Sequence, residues 1–133
     1  MKLTRASSYA LHAVAFMAVQ KHDRPVASHN IAQARGIPER FLLKVLKPLV
    51  SARVLISIKG PNGGYRLARA PSDITMLDIV EAVDGPIRGQ APVNPKNPHT
   101  PLDKRLDEVC GSVAEQMRKQ LGRVKMSELA SRE

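Results

Sequence analysis

Arg40, Lys44 and Lys47 follow one another at spacings of four and three, and on a helix they would share one face with Leu43. Guanidinium and ammonium groups on such a face can donate to guanine acceptors. Leu43 can touch a thymine methyl, and Glu39 can accept from a cytosine amine. Further along, the stretch SIKGPNGGYRLAR, residues 57–69, sets Lys59 and Arg66 on either side of Gly60, Pro61, Asn62, Gly63 and Gly64. Glycine-rich backbone between cations suits contact with phosphate, because its N–H groups approach closely where no side chain intervenes. This chemistry is recognition of a polyanion rather than bond making.

Other readings of these residues are weaker. A nucleotide-binding phosphate loop would end in Lys-Ser/Thr and open a helix, whereas GPNGG does neither. A stripe of cations can be a solvated face and nothing more. Against that, the charge is segregated. The chain carries 21 Lys and Arg, 12 Asp and Glu, and a net charge of +9. Residues 35–69 hold eight basic residues against the single acid Glu39, whereas residues 91–133 hold eight against six. Such a local excess is the footprint of a nucleic-acid partner. No catalytic residue is assigned. His12, His22, His29 and His99 share no recognisable spacing, Asp78 reads as a helix cap, and the only thiol is Cys110. One cysteine forms no intrachain disulfide and fits a reducing compartment. The basic, apolar N-terminus resembles a leader, but His12 interrupts it and its spacing is helical. It is expected to be the first helix of a cytoplasmic protein with no membrane span.

The elements that must position these residues follow from periodicity. Leu3, Ala6, Ala10, Ala13, Val14 and Met17 predict a helix over 3–20. Ser28 is expected to cap a short helix that Gly36 stops. A second helix starts at Pro38, with Phe41, Leu42, Val45, Leu46 and Leu49 as its buried stripe, and Pro48 predicts a kink or early end. Val54–Lys59 and Tyr65–Ala68 read as a hairpin with Asn62 and Gly63 at the centre of a type I′ turn. Thr75 and Asp78 form a capping box for a helix that Gly85 ends. Pro86, Pro92, Pro95, Pro98 and Pro101 mark a linker or mobile loop. Beyond it Leu102, Leu106, Val109, Val113, Met117, Leu121 and Val124 trace a narrow apolar seam on a long helix, which must bury that seam either on its own domain or on another chain.

A short helix, a tight turn, a basic helix and a charged hairpin make a winged helix-turn-helix, so the fold class is mainly α with a small β-hairpin wing and a long C-terminal helix. The expected DNA-binding residues are Ser28, Pro38, Glu39, Arg40, Leu43, Lys44 and Lys47 on the helices. In the wing they are Lys59, Asn62, Gly63, Gly64, Tyr65 and Arg66. The divisions are a DNA-binding domain at 1–85, a proline-rich loop at 86–101, and a dimerisation helix with C-terminal tail at 102–133.

The segments LTRASSYALHA, IPERFLLKVLKPL, ISIKGPNGGYRLAR and DITMLDIVEAVDG resemble, in this order, the Rrf family of winged-helix transcriptional regulators. The resemblance runs from Leu3 to Gly85 and resumes in the long helix. It implies a homodimer that pairs through the long helix and binds a pseudo-palindromic promoter site; the seam residues Leu102, Leu106, Val109, Val113, Met117 and Leu121 are the expected dimer surface, and a repressor is the expected role. A winged-helix module that binds proteins rather than specific DNA is the alternative. Two departures stand out. Cluster-binding members carry three cysteines in and just after the loop, and this chain has only Cys110, so no iron–sulfur cluster is expected. Arg53 stands where many members have glycine, so the helix before it must end differently or hold Arg53 at positive φ. The effector, a small molecule or a protein, stays open. Cys110 is a candidate redox switch or intersubunit disulfide, although a small buried side chain needs no such role. His99 with Cys110 is a weaker candidate metal pair.

Overall fold

Ala10, Ala13 and Val14 are fully buried on one face of the first helix, where their small side chains let neighbouring helices close in. In the computed structural model, which describes residues 1–131, α1 (Arg5–Ala18) is followed by α2 (Ser28–Arg35) and α3 (Glu39–Ser51). Strands β1 (Leu55–Ile58) and β2 (Gly64–Leu67) come next, then a 3-10 turn at Pro71–Asp73 and α4 (Met76–Asp84). The long α5 (Pro101–Gly122) and the short α6 (Met126–Ala130) complete the chain. This is a mainly helical fold with a two-stranded antiparallel wing. Its core joins α1 and α3 to the 3-10 turn, α4 and α6 through Leu42, Leu46, Leu49, Ile74, Ile79 and Met126, all fully buried. Among the described residues no helix is long and apolar enough to cross a membrane.

Local chemistry sets the helix ends. The Ser7 amide donates to the Thr4 hydroxyl at 3.0 Å, opening α1. The Asp84 carboxylate accepts the Thr4 and Ser7 hydroxyls at 2.9 and 2.6 Å, tying the end of α4 to the start of α1. Leu3, expected inside this helix, precedes it and is exposed. Thr75 and Asp78 form the expected capping box, and Gly85 ends α4 with φ 84°. Thr100 and Asp103 repeat the box at α5, which Pro101 enters as its first residue. There the Thr100 hydroxyl, and then its amide, hold the Asp103 carboxyl below its ordinary value. That cap is complete above the usual carboxylate range and is lost as pH falls through the lowered value.

Three expectations need correction. Ser28 is the first residue of α2 and not its cap; Ala27 occupies that position, and the Ser28 hydroxyl points across to Glu39. Pro48 does not end α3 early, since the helix runs on to Ser51. Its missing N–H falls on the half-exposed flank, while fully buried Leu49 holds the last turn against the core. Val124 does not prolong the apolar seam, because α5 stops at Gly122. The chain then runs as a short extended segment beside residues 74–76. Met76 N–H bonds the Val124 carbonyl and Met126 N–H bonds the Ile74 carbonyl, both at 2.8 Å. Burial of Met126 turns the segment expected as a tail back onto α1. The last two residues of that expected 102–133 segment lie outside the described residues.

Arg53 resolves the question raised by its sequence position. Val54 N–H bonds the Leu49 carbonyl and Arg53 N–H bonds the Val50 carbonyl, both at 3.0 Å, which is a Schellman ending. Arg53 sits at φ 61°, a conformation that suits glycine. Arg53→Gly is therefore expected to raise unfolding stability by about 0.5–1 kcal/mol, the left-handed penalty outweighing glycine's greater unfolded freedom. Urea denaturation of the two proteins measures it; equal or lower stability would show that the arginine side chain offsets the strain.

Candidate nucleic-acid interface

Gly36, at φ 63° and ψ 33°, ends α2 in the left-handed conformation, and Pro38 leads into α3 two residues later. This tight turn sets α3 against α2 through buried Ile31, Ala32 and Ile37. The outer face of α3 then carries Arg40, Leu43, Lys44 and Lys47, all exposed. Glu39 is exposed as well, but its carboxylate is engaged: the Ser28 hydroxyl donates to it at 3.0 Å and His29 Nδ1 lies 3.7 Å away. Two residues expected to act separately, Ser28 and Glu39, are thus one contact across the turn. Phe41 does not belong to the buried stripe. It lies about 100° around the helix from Leu42, on the flank, and is 43% exposed.

The wing pairs Leu55 with Leu67, Ile56 with Arg66, Ser57 with Tyr65 and Ile58 with Gly64. Leu55, Tyr65 and Leu67 turn toward the core, which leaves Ile56 and Arg66 on the outer face. Tyr65 is therefore committed inward. The tip also differs from expectation. Gly63 N–H bonds the Gly60 carbonyl at 3.0 Å, so Pro61 and Asn62 occupy the centre of the turn. Neither Asn62 nor Gly63 has positive φ. A type I′ turn is thus replaced by one that uses the fixed φ of proline at its first central position. Lys59 and Asn62 project from this tip, exposed.

The glycines are explained inside the protein. A Cβ on Gly63 would lie 2.0 Å from the Ile58 carbonyl oxygen, and one on Gly64 would lie 2.4 Å from that of Val26. The reason for the second closeness is a bridge between segments far apart in sequence. Val26 N–H bonds the Tyr65 carbonyl and Tyr65 N–H bonds the Val26 carbonyl, each at 2.8 Å. The connection between α1 and α2 therefore lies against β2 as a third extended segment, a role that sequence periodicity did not reveal. Arg69 is also internal in purpose. It donates to the Asp73 carbonyl at 2.9 Å and lies 3.5 Å from the Asp78 carboxylate, pinning the wing exit to α4. Arg35 stacks on Phe16. Lys47, Lys59 and Arg66 make no ion pair among the described residues.

Residues 86–100 are held at one point on α4 and two on α5. Ile87 N–H bonds Glu81 at 2.8 Å, Gly89 touches the backbone of Cys110 and Gly111, and Ala91 N–H bonds Asp107 at 2.9 Å. Glu81 also accepts the Arg118 guanidinium, linking α4 to α5. The seam on α5 divides. Leu102, Leu106, Val109 and Val113 are exposed, Met117 is half-buried, and Leu121 is buried within this chain. Cys110 is a half-buried free thiol. His99 precedes the helix and Cys110 lies about 15 Å along it, too far for a shared metal ion. Among the described residues no three of His, Cys, Asp and Glu are grouped to hold one.

Comparison with known proteins agrees with this architecture. The family model described as Rrf2, iron-dependent transcriptional regulator, matches residues 3–132. An rrf2-like HTH-type transcriptional regulator of Rhodobacter capsulatus is 36% identical over 111 residues, which is 81% of this chain and 73% of that protein. The HTH-type transcriptional regulator IscR of Vibrio atlanticus is 36% identical over 84 residues, or 63% of this chain and 49% of that protein. The match thus spans about half the length of that relative. The structure of CymR, the global cysteine regulator of B. subtilis, superposes with a TM-score of 0.79 at 28% identity over 100% of this chain and 98% of that one. IscR of T. potens shares the fold, with a TM-score of 0.74 at 24% identity over 98% and 87% of the two chains.

The close seating of the wing generates a test. Gly64→Ala places a methyl where the Val26 carbonyl stands, at a backbone φ of 147° that side chains rarely adopt. Backbone on both sides of the contact cannot yield cheaply, so the variant should lose about 2–3 kcal/mol of stability. Amide exchange at Val26 and Tyr65 should rise before that of buried Leu46. Unchanged protection at those two amides would mean that the bridge does not seat the wing.

Proposed function

The chain belongs to the Rrf2 family of HTH transcriptional regulators, and from that premise we propose that it binds specific double-stranded DNA as a homodimer and represses transcription from a pseudo-palindromic promoter site. The observation that carries this reading is the layout of exposed cations: Arg40, Lys44 and Lys47 on the outer face of α3, with Lys59 and Arg66 on the wing beside it. A helix of this kind enters the major groove and reads base edges, while a wing grips phosphate or the minor groove. Arg40 and Lys44 are assigned to guanine acceptors and Leu43 to a thymine methyl. Lys47, Lys59, Asn62 and Arg66 are assigned to the backbone. The divisions proposed are a DNA-binding domain at 1–85, the proline-rich loop at 86–101 and the dimerisation segment from 102, all working in the cytoplasm where the DNA is.

The occupant proposed for the free face of α5 is a second copy of the chain. Leu102 is 65% exposed and Val113 is 50% exposed, on a helix otherwise rich in charge. Four large apolar residues in one line are costly to leave in water, and a two-fold pairing of identical helices covers both lines at once. Met117 sits at the edge of that contact. Leu121, assigned to it on the sequence pattern, is already used within the chain. Repression would follow from occupying promoter DNA.

The family model is described as iron-dependent, so the donor set matters. One half-buried thiol, with no other Cys and no nearby group of ligating side chains among the described residues, does not fit an iron–sulfur cluster. The effector is proposed to be a small molecule or a partner protein. Cys110, if it responds to oxidants, does so without a metal.

Selection of binding sites from random duplex DNA is expected to return a two-fold symmetric motif. On that motif Arg40→Ala should lose about 10- to 100-fold in affinity and relax the preference at one base position. Lys59→Ala or Arg66→Ala should weaken binding to all duplexes alike and lower the salt slope by about one. Equal losses on the selected and random duplexes for Arg40→Ala would remove its base-reading role, and no salt-dependent binding at all would favour a protein-binding module.

Leu106→Glu and Val113→Glu test the dimer separately. Each places a carboxylate in the line of apolar residues, at an exposed position where the monomer fold does not need the side chain. Sedimentation should shift from dimer to monomer with little change in the melting temperature. Persistence of the dimer in both variants would place the contact elsewhere.

A further inference from the structure

The ring of Phe41 is the neighbour that both proposed base-reading cations share. The Arg40 guanidinium carbon lies 5.3 Å from the ring centroid and the Lys44 ammonium nitrogen 5.7 Å. Both distances are within reach of a cation–π attraction. The ring itself contributes little to the core: it is 43% exposed, on a helix whose Leu42, Leu46 and Leu49 are fully buried. A large exposed aromatic beside two long cationic side chains calls for a role other than packing.

We propose that Phe41 is a positioning residue for DNA reading, whose ring holds Arg40 and Lys44 side by side on the outer face of α3. The proposal rests on the DNA-reading role assigned above to those two cations. Arg40 and Lys44 stand four residues apart, the spacing at which like charges on a helix repel, and each is a long side chain with many rotamers. Something must keep both on the same face without neutralising them. A carboxylate would do the first and defeat the second, because DNA would have to displace a full negative charge. The only acid nearby in sequence, Glu39, is turned the other way. It lies about 200° around the helix from Phe41 and is held by Ser28 at 3.0 Å, with His29 at 3.7 Å. An aromatic face is an uncharged partner that attracts cations, restricts their rotamers and yields to guanine or phosphate on contact. Restricting the free state in this way lowers the ordering loss on binding.

Phe41→Leu keeps an apolar side chain on the flank and removes the ring face. On the selected duplex, affinity should fall about three- to tenfold. Affinity for random duplex, the salt slope and the melting temperature should stay at wild-type values. Phe41→Tyr should restore specific binding, because it retains the ring face. In a background already carrying Arg40→Ala and Lys44→Ala, Phe41→Leu should change nothing further. A readout without DNA accompanies these. In the free wild-type protein, the ring current should move the Arg40 Hδ and Lys44 Hε resonances upfield, and Phe41→Leu should abolish that shift. Selective binding by the wild type with an unchanged Phe41→Leu affinity, or an equal loss in the double-alanine background, would overturn the positioning role alone. Absence of the upfield shift would overturn it as well. If the shift is present but the wild type binds no duplex, the DNA-reading proposal fails and this inference falls with it.

Discussion

Two backbone hydrogen bonds, between Val26 and Tyr65 in both directions, hold the wing in place. They join the connection between α1 and α2 to β2, segments about forty residues apart in the chain. A two-stranded hairpin alone is marginal in water, so a wing of this size needs a third neighbour. Gly64 lets that neighbour come close, and Tyr65 and Leu67 pack the inner face down onto the core. The wing and the α2–α3 pair thus become one rigid surface. Any ligand that touches Lys59 or Arg66 and the face of α3 together meets them at fixed separation, which is what register along a regular double helix requires.

Charge on this surface is sorted by use. Arg69 and Arg35 look, in sequence, like members of the same basic run as Arg40 and Lys44. In the fold Arg69 is a strut between the wing exit and α4, and Arg35 lies over Phe16. Glu39, the single acid of the run, is drawn toward Ser28 and His29 and away from the cations. What faces outward is more uniformly positive than the sequence count alone implies. Uniform sign on a rigid face favours a polyanion and disfavours the mixed pairing of an ordinary soluble surface.

Much of this was legible in the sequence, and the misses have a common physical cause. The helices were readable because alanines and leucines recur at helical spacing and because Thr75, Gly36 and Gly85 mark ends by chemistry that acts within a few residues. The wing was readable from Gly60 to Gly64, yet the reason for its glycines was not. Gly63 and Gly64 are required by approach of the Ile58 and Val26 carbonyls, and the second of these is a long-range contact. Phe41 sits at the edge of the apolar stripe, where a rotation of one residue separates core from solvent, so periodicity alone placed it wrongly. Met126 is a single methionine among charged neighbours with no pattern around it. Only the space left beside Ile74 and α1 determines that it is fully buried. Local signals thus survive reading from sequence, whereas contacts made across the chain do not.

That same contact at Met126 determines what α5 can do. The far half of the helix is clamped: Leu121 and Ala114 are buried, Arg118 is held by Glu81, and the chain beyond is locked by Met126 to the strand-like segment at 74–76. The near half, from Leu102 to Val113, is free on its apolar side. A helix fixed at one end and open at the other behaves as a rigid arm. A second copy joined along the open half would be carried at an angle set by the clamped half. Spacing between two recognition helices would then be a property of the clamp residues rather than of the seam. The loop at 86–100 lies against this arm through Asp107 and Cys110, and against α4 through Glu81, so whatever alters the loop acts on the arm directly. Glu81, which accepts both from the loop and from Arg118, is the point where loop, arm and α4 meet.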